Sequence, residues 1–192
     1  MPQEEAPLTP IDPAAFDQLV GAAVRALAAD PRGLMVIDGR SGAGKTTVAR
    51  RIAEAAGARL VSLDEFYPGW WGLAYATGQV ARIAADHAAC RTGSYHRWDW
   101  ERGSWIPHAV AVDPRVPLDI EGCGALSPES AQNATITAWI DGDAELRKKL
   151  ALTRDGDYFA PYWDMWAEQE REHLARNDPQ ALANLIVQLS TA

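Results

Sequence analysis

One stretch constrains this chain more than any other: Gly39-Arg40-Ser41-Gly42-Ala43-Gly44-Lys45-Thr46. It fills every fixed position of the phosphate-loop pattern G-x-x-x-x-G-K-[ST]. The flanks agree with it. The apolar run 33–38 reads as a short buried strand, and 45–56 reads as a helix closed by Gly57 at the C-cap position. Glycines let successive backbone N–H groups turn inward and form a concave nest for phosphate oxygens. The nest ends at a helix N-terminus, whose unpaired amides favour negative charge. In such a loop Lys45 bridges the β- and γ-phosphates and the Thr46 hydroxyl ligates Mg²⁺, with Thr47 continuing the helix start. Residues Gly39, Ser41, Gly42, Ala43, Gly44, Lys45, Thr46 and Thr47 are therefore the expected nucleotide contacts, with ATP and Mg²⁺ the expected ligands.

The rest of the chain follows a rhythm set by that loop. Proline-rich residues 1–11 read as a lead-in, and 12–192 as a single domain of a size that supports one substantial core. Asp12 as N-cap with Pro13 behind it opens a helix to about residue 30, with Phe16, Leu19, Val20, Ala23 and Leu27 as its apolar stripe. Further strands are expected at 59–64, 117–122, 134–141 and 183–189, with helices near 77–91, 143–154 and 162–175. Short apolar strands alternating with helices imply an α/β fold in three layers, a parallel sheet covered on both faces.

Charge narrows the partners. Twenty-six acidic residues against eighteen basic give a net charge of −8, which argues against nucleic acid and anionic membranes as partners. No apolar run approaches the ~18 residues that span a bilayer, and the acidic N-terminus is unlike a signal peptide. The expectation is a cytoplasmic protein, with its oligomeric state left open. Cys90 and Cys123 lack zinc-like spacing and read as idle thiols.

Between the second and third sheet strands the composition shifts. Nine of the sixteen aromatic residues fall there, in an insertion at about 65–115 that leaves and re-enters the sheet at the edge where α/β proteins bind ligands. This is the expected acceptor site, with Tyr67, Trp70, Arg97, Trp98, Asp99, Trp100 and Arg102 as its candidate contacts. Asp64, at the end of the second strand, is the candidate general base, because transfer of a phosphoryl group to a hydroxyl needs a carboxylate to orient the nucleophile and take its proton. Asp119 and Glu121 share one strand face. Glu121, nearer the strand end, is the candidate metal residue, and Asp119 stays open. A lid is expected at about 147–160, where a basic helix leads to Arg154 and Gly156 permits a hinge.

These motifs, G-R-S-G-A-G-K-T-T, then D-E-F-Y, then E-G, resemble the uridine kinase-like group of small phosphate-loop kinases, which includes nicotinamide riboside kinases. The resemblance implies a five-stranded sheet in the order 2-3-1-4-5. It also implies Asp64 as base, Glu121 beside Mg²⁺ and Arg147 and Arg154 over the phosphates. At Trp98-Asp99-Trp100-Glu101-Arg102-Gly103-Ser104-Trp105 the pattern's His and Arg positions hold Gly103 and Trp105. The acceptor thus stays open between a nucleoside-like compound and a specialised metabolite or antibiotic. Two alternatives to a small-molecule kinase remain at this point: a nucleotide-operated regulatory switch, and a nucleoside monophosphate kinase.

Overall fold

The computed structural model describes residues 12–189, so the lead-in expected at 1–11 lies outside the described residues. Helix α1 (Pro13–Ala29) starts as anticipated. The Asp12 carboxylate accepts the Ala15 N–H at 3.0 Å and Pro13 occupies the first turn, where its missing N–H costs nothing. Strand β1 (Leu34–Gly39) is buried throughout, and α2 (Lys45–Ala56) ends at Gly57 in the left-handed conformation. Strand β2 (Arg59–Ser62) stops two residues short of the expected end, and Leu63–Glu65 form a 3₁₀ turn. Asp64 therefore sits on that turn, just past the strand.

A short turn at Gly69–Trp71 leads into α3 (Leu73–Ala88), which begins four residues before the expected helix. The insertion then forms a hairpin that the sequence pattern did not suggest. Strands β3 (Gly93–Asp99) and β4 (Ser104–Val112) pair antiparallel, with a register shift between His96 and Trp98 and a turn through Gly103 at φ 61°. Strand β5 (Leu118–Glu121) re-enters the sheet, followed by the short α4 (Pro128–Ala131) and β6 (Ile136–Gly142).

The lid helix is longer than expected. Helix α5 (Ala144–Phe159) is capped by Asp143, whose carboxylate takes the Glu145 and Leu146 N–H groups, and it kinks at Gly156, φ 54° and ψ −138°. A 3₁₀ turn (Ala160–Tyr162) joins it to α6 (Trp163–Asn177); α7 (Pro179–Leu182) and β7 (Leu185–Leu189) complete the described residues.

The five-stranded sheet is parallel in the order β2-β5-β1-β6-β7. Counted without the hairpin, this is the expected order 2-3-1-4-5. Alternation along β1 divides the core. Leu34 and Val36 pack with Val80, Ile83 and Trp166, while Met35 and Ile37 pack with Leu19, Leu27, Val48 and Ile52. Helices α1 and α2 thus cover one face and α3 and α6 the other, giving three layers. Register sets the site: Glu121 lies opposite Ile37 on one side and Ser62 on the other, so three strands end level beneath the phosphate loop.

Candidate active site

The loop is shaped by close packing. At Gly39 a Cβ would come 1.9 Å from the Ile140 carbonyl oxygen, and at Gly42, φ 79°, it would come 2.0 Å from that of Arg147. Only glycine fits at either point. Ala43 is fully buried beneath the loop, and its N–H donates to the Arg40 carbonyl. Ser41, Gly42, Gly44, Lys45, Thr46 and Thr47 line an open cleft of about 690 Å³ at the C-terminal edge of the sheet.

Lys45 is 7% exposed. Its ammonium donates to the Arg40 carbonyl at 3.1 Å and to the Cys123 sulfur at 3.3 Å. Burial pulls its pKa down, the carboxylates of Glu121, Glu170 and Asp38 facing it pull it up, and the net direction is up. The Cys123 thiol is pushed up to about 12 by burial, with Lys45 opposing, so it stands neutral beside the lysine. An idle thiol in the sequence is a wall of the cleft in the fold.

Three elements meet at Glu121. Its Oε1 accepts the Thr46 hydroxyl at 3.1 Å from α2 and the Ser62 hydroxyl at 2.7 Å from β2. Burial and the Asp64 charge raise its pKa, against those two hydrogen bonds and Lys45. A hydroxyl and a carboxylate this close form an all-oxygen donor pair, which suits a hard cation that keeps several other ligands. Among the described residues no group of three His, Cys, Asp or Glu could hold a metal by itself. Asp119 does not join this pair. It is fully buried on the strand, outside the cleft wall, and neither carboxyl oxygen has a hydrogen-bond partner among the described residues.

Asp64 opens into the same cleft. Protein atoms crowding the cleft wall raise its pKa, and Asp155 adds to this, while Lys45 and Arg154 draw it down. The side chain keeps a solvent-exposed surface, so the rise is smaller than in a sealed pocket. Arg154 reaches in from α5, its guanidinium held by the neighbouring Asp155 at 2.9 and 2.6 Å.

Other expected contacts go elsewhere. Arg147 is 1% exposed and lies outside the cleft wall. It pairs with Asp141 at 2.9 Å and donates to the Gly142 and Ser41 carbonyls, so it braces the loop from behind. Arg97 is tied to Glu65 at 2.7 Å, and Arg102 lies 3.6 Å from Asp99. Asp99 itself closes the hairpin turn by accepting the Glu101 and Arg102 N–H groups. Trp98 packs edge-on to Trp105, which in turn meets Tyr75, a satellite cluster away from the cleft. Of the acceptor-side set, Tyr67, Trp70 and Trp100 line the cleft, and Arg97, Trp98, Asp99 and Arg102 do not.

The fold also supplies wall residues that pattern reading passed over: Arg50, Glu101, Cys123, Asp155, Tyr158 and Phe159, with Trp166 from α6. Behind the loop, Asp38 accepts the Gly39, Gly124 and Leu126 N–H groups and shares a 2.9 Å hydrogen bond with His173. Cys123, two residues past Glu121, had a positional cue in the E-G turn. Asp38 and His173 had none, since they meet across 135 residues.

Comparison with solved structures agrees with this architecture. A structure from Bacillus stearothermophilus described as a possible uridine kinase superposes with a TM-score of 0.62 at 17% identity, over 90% of this chain and 97% of that one. A structure from Silicibacter sp. TM1040, provisionally described as a fructose transport system kinase, gives 0.54 at 18% identity, over 89% and 98%. At such identities the likeness is one of fold. The chain has the three-layer α/β fold of the phosphate-loop kinases. No protein-family model and no curated protein matches the sequence. Among the described residues no helix is long and apolar enough to cross a membrane.

Proposed function

We propose that this protein is a kinase that uses Mg²⁺ and ATP to phosphorylate a hydroxyl group of a small molecule. The observation that carries this reading is the shared cleft: the Asp64 carboxyl faces the same space as the phosphate loop, within the fields of Lys45 and Arg154. A regulatory switch has no use for a carboxylate base turned toward an open, aromatic-walled chamber.

Phosphoryl transfer asks little covalent help of a protein and much positioning. Loop amides and Lys45 grip the donor's phosphates, and Arg154 offsets charge spread over the transferring group. Thr46 and Glu121 are the residues that would hold Mg²⁺, which when bound neutralises phosphate charge and orients the donor. Asp64 accepts the proton of the acceptor hydroxyl as that oxygen attacks. Its raised pKa suits the task, because the carboxylate is a stronger base than an ordinary one.

The nucleoside monophosphate reading loses the four arginines that kept it open, and of the remaining arginines Arg50 and Arg154 line the cleft. An acceptor phosphate needs arginines, and Arg97 and Arg102 are engaged by Glu65 and Asp99 while Arg82 and Arg91 are engaged by Asp86, all four outside the cleft wall.

The test is direct. A non-hydrolysable ATP analogue with Mg²⁺ should raise the melting temperature, since ligand at one hundred times Kd adds about 2.7 kcal/mol of stability. A panel of hydroxylated metabolites with ATP should then yield ADP and a phosphorylated product, and Lys45→Met should yield neither. No shift with the analogue would end the reading.

A further inference from the structure

Beyond Asp64 the cleft is walled by rings. Trp70 and Trp100 come from the insertion, Tyr158 and Phe159 from the end of the lid helix. Trp70 stacks on Phe159 at 5.2 Å and on Tyr162 at 4.6 Å, and Trp100 leans against it at 5.0 Å. Tyr158 is 55% exposed and Trp100 half-buried, so both keep open ring surface.

Three hydrogen-bond donors of this wall are already used. The Trp100 indole N–H donates to the Asp64 carbonyl at 2.9 Å, the Tyr67 hydroxyl to the Cys123 carbonyl at 2.7 Å and the Tyr158 hydroxyl to the Trp100 carbonyl at 3.3 Å. Arg97 and Arg102 are paired outside. A free acceptor stands there as well: Glu101, on the hairpin turn, lines the cleft with a carboxylate that makes no hydrogen bond or ion pair among the described residues. Arg154 is occupied by Asp155 and belongs to the phosphate end.

A neutral heterocycle with several carbonyl oxygens would find few free donors among these rings, and each unmatched group costs binding. A cation meets the opposite case, because ring faces attract positive charge and a carboxylate completes its shell. The same aromatic group already does this at its outer side, where Lys148 Nζ lies 5.7 Å from the centre of the Trp163 ring, itself packed edge-on to Phe159. The net charge of −8 favours the approach of such a ligand.

We infer that the acceptor is a hydroxylated organic cation, an ammonium, quaternised amine or cationic ring, held against Trp100 and Tyr158 and by the Glu101 carboxylate with its hydroxyl toward Asp64. This rests on the kinase reading and names the substrate class of the same cleft. It is tested with matched pairs of probes: choline against its neutral isostere 3,3-dimethylbutan-1-ol, and glucosamine against N-acetylglucosamine. Each is titrated by calorimetry into the full chain saturated with Mg²⁺ and a non-hydrolysable ATP analogue. The cationic member of at least one pair should bind about tenfold more tightly than its neutral partner. Glu101→Gln should bring that ratio close to one without changing affinity for the nucleotide analogue. Equal binding within every pair, preference for the neutral members, or no binding by either cation would overturn the proposal. Nucleotide binding in the same titrations reports separately on the kinase reading, so the two can fail independently.

Discussion

Glu170 Oε1 accepts the backbone N–H of Ser41 at 2.7 Å, tying the helix beyond the lid to the phosphate loop across 129 residues of sequence. The other carboxylate oxygen lies 3.4 Å from Arg40 Nε. One turn further along α6, His173 reaches Asp38 beneath the same loop. The loop is therefore held from both sides, by α6 through Glu170 and by α5 through Arg147, whose guanidinium takes the Ser41 carbonyl at 3.2 Å. Both partners of the Ser41 peptide are buried side chains from the segments that carry the lid.

That arrangement makes Glu170 a stability residue. Glu170→Ala strands a buried N–H and a nearby arginine, and should cost about 1–3 kcal/mol in urea unfolding. Glu170→Gln keeps an acceptor in place and should cost clearly less. Parental stability in the alanine variant would mean that the loop holds its shape without α6.

Arg154 should behave differently. Its guanidinium is more than half exposed and, among the described residues, pairs only with its neighbour Asp155, so Arg154→Ala should leave the melting temperature almost unchanged. If it faces charge that grows in the transition state, kcat should fall by roughly 10² while nucleotide affinity stays within a few-fold. A loss confined to nucleotide affinity would make it a ground-state contact instead.

The contrast between these arginines shows what sequence could and could not yield. The phosphate loop and Asp64 were readable because their chemistry needs fixed residues at fixed local spacing. The sheet order came with the resemblance, and register then brought Thr46, Ser62 and Glu121 together. Arg147 was placed by the resemblance and Arg97 and Arg102 were picked for their charge, yet their partners Asp141, Glu65 and Asp99 decide their fate. Residue type does not reveal which carboxylate claims an arginine. The β3–β4 hairpin escaped notice for a related reason. Most of β4 is exposed, so no alternation of apolar and polar residues marks it. Lys45 was expected in the loop, but its burial against Cys123 depends on the turn after β5, 78 residues away.

Asp119 offers a test of stability alone. Its carboxyl is fully buried with both oxygens unpartnered among the described residues, and burial, with Glu121 adding repulsion, raises its pKa well above the ordinary carboxylate value. The sign follows from linkage. A group whose pKa rises on folding contributes stability that is fully present below its unfolded pKa, about 3.9, and lost as pH rises through the folded value. Asp119→Val has a similar shape and suits a strand. It should stabilise the protein at neutral pH by about 1–3 kcal/mol and flatten the fall in stability above pH 4. Glu121, raised in the same direction, should leave part of the slope. A destabilised valine variant would show that the carboxyl has a partner in solution.

Asp64 is the residue that separates a kinase from a nucleotide-binding protein without chemistry. Asparagine keeps its shape and its place on the 3₁₀ turn but cannot take a proton from the acceptor. Asp64→Asn should keep thermal stability and hold Mg²⁺·ATP affinity within a few-fold, while transfer falls by roughly 10²–10⁴. The pH profile gives a second, independent readout. A base works only when ionised, so kcat/KM should rise with pH as Asp64 loses its proton. The midpoint should lie above the ordinary value of about 3.9, because crowding at the cleft wall raises it and Lys45 and Arg154 only partly reverse that. The residual activity of Asp64→Asn should lack this acidic limb. A variant with the limb intact would assign the titration to another group, with Glu121 the next carboxylate to examine. Parental turnover at neutral pH would take Asp64 out of the chemistry, and loss of nucleotide binding would move it to the metal side of the cleft.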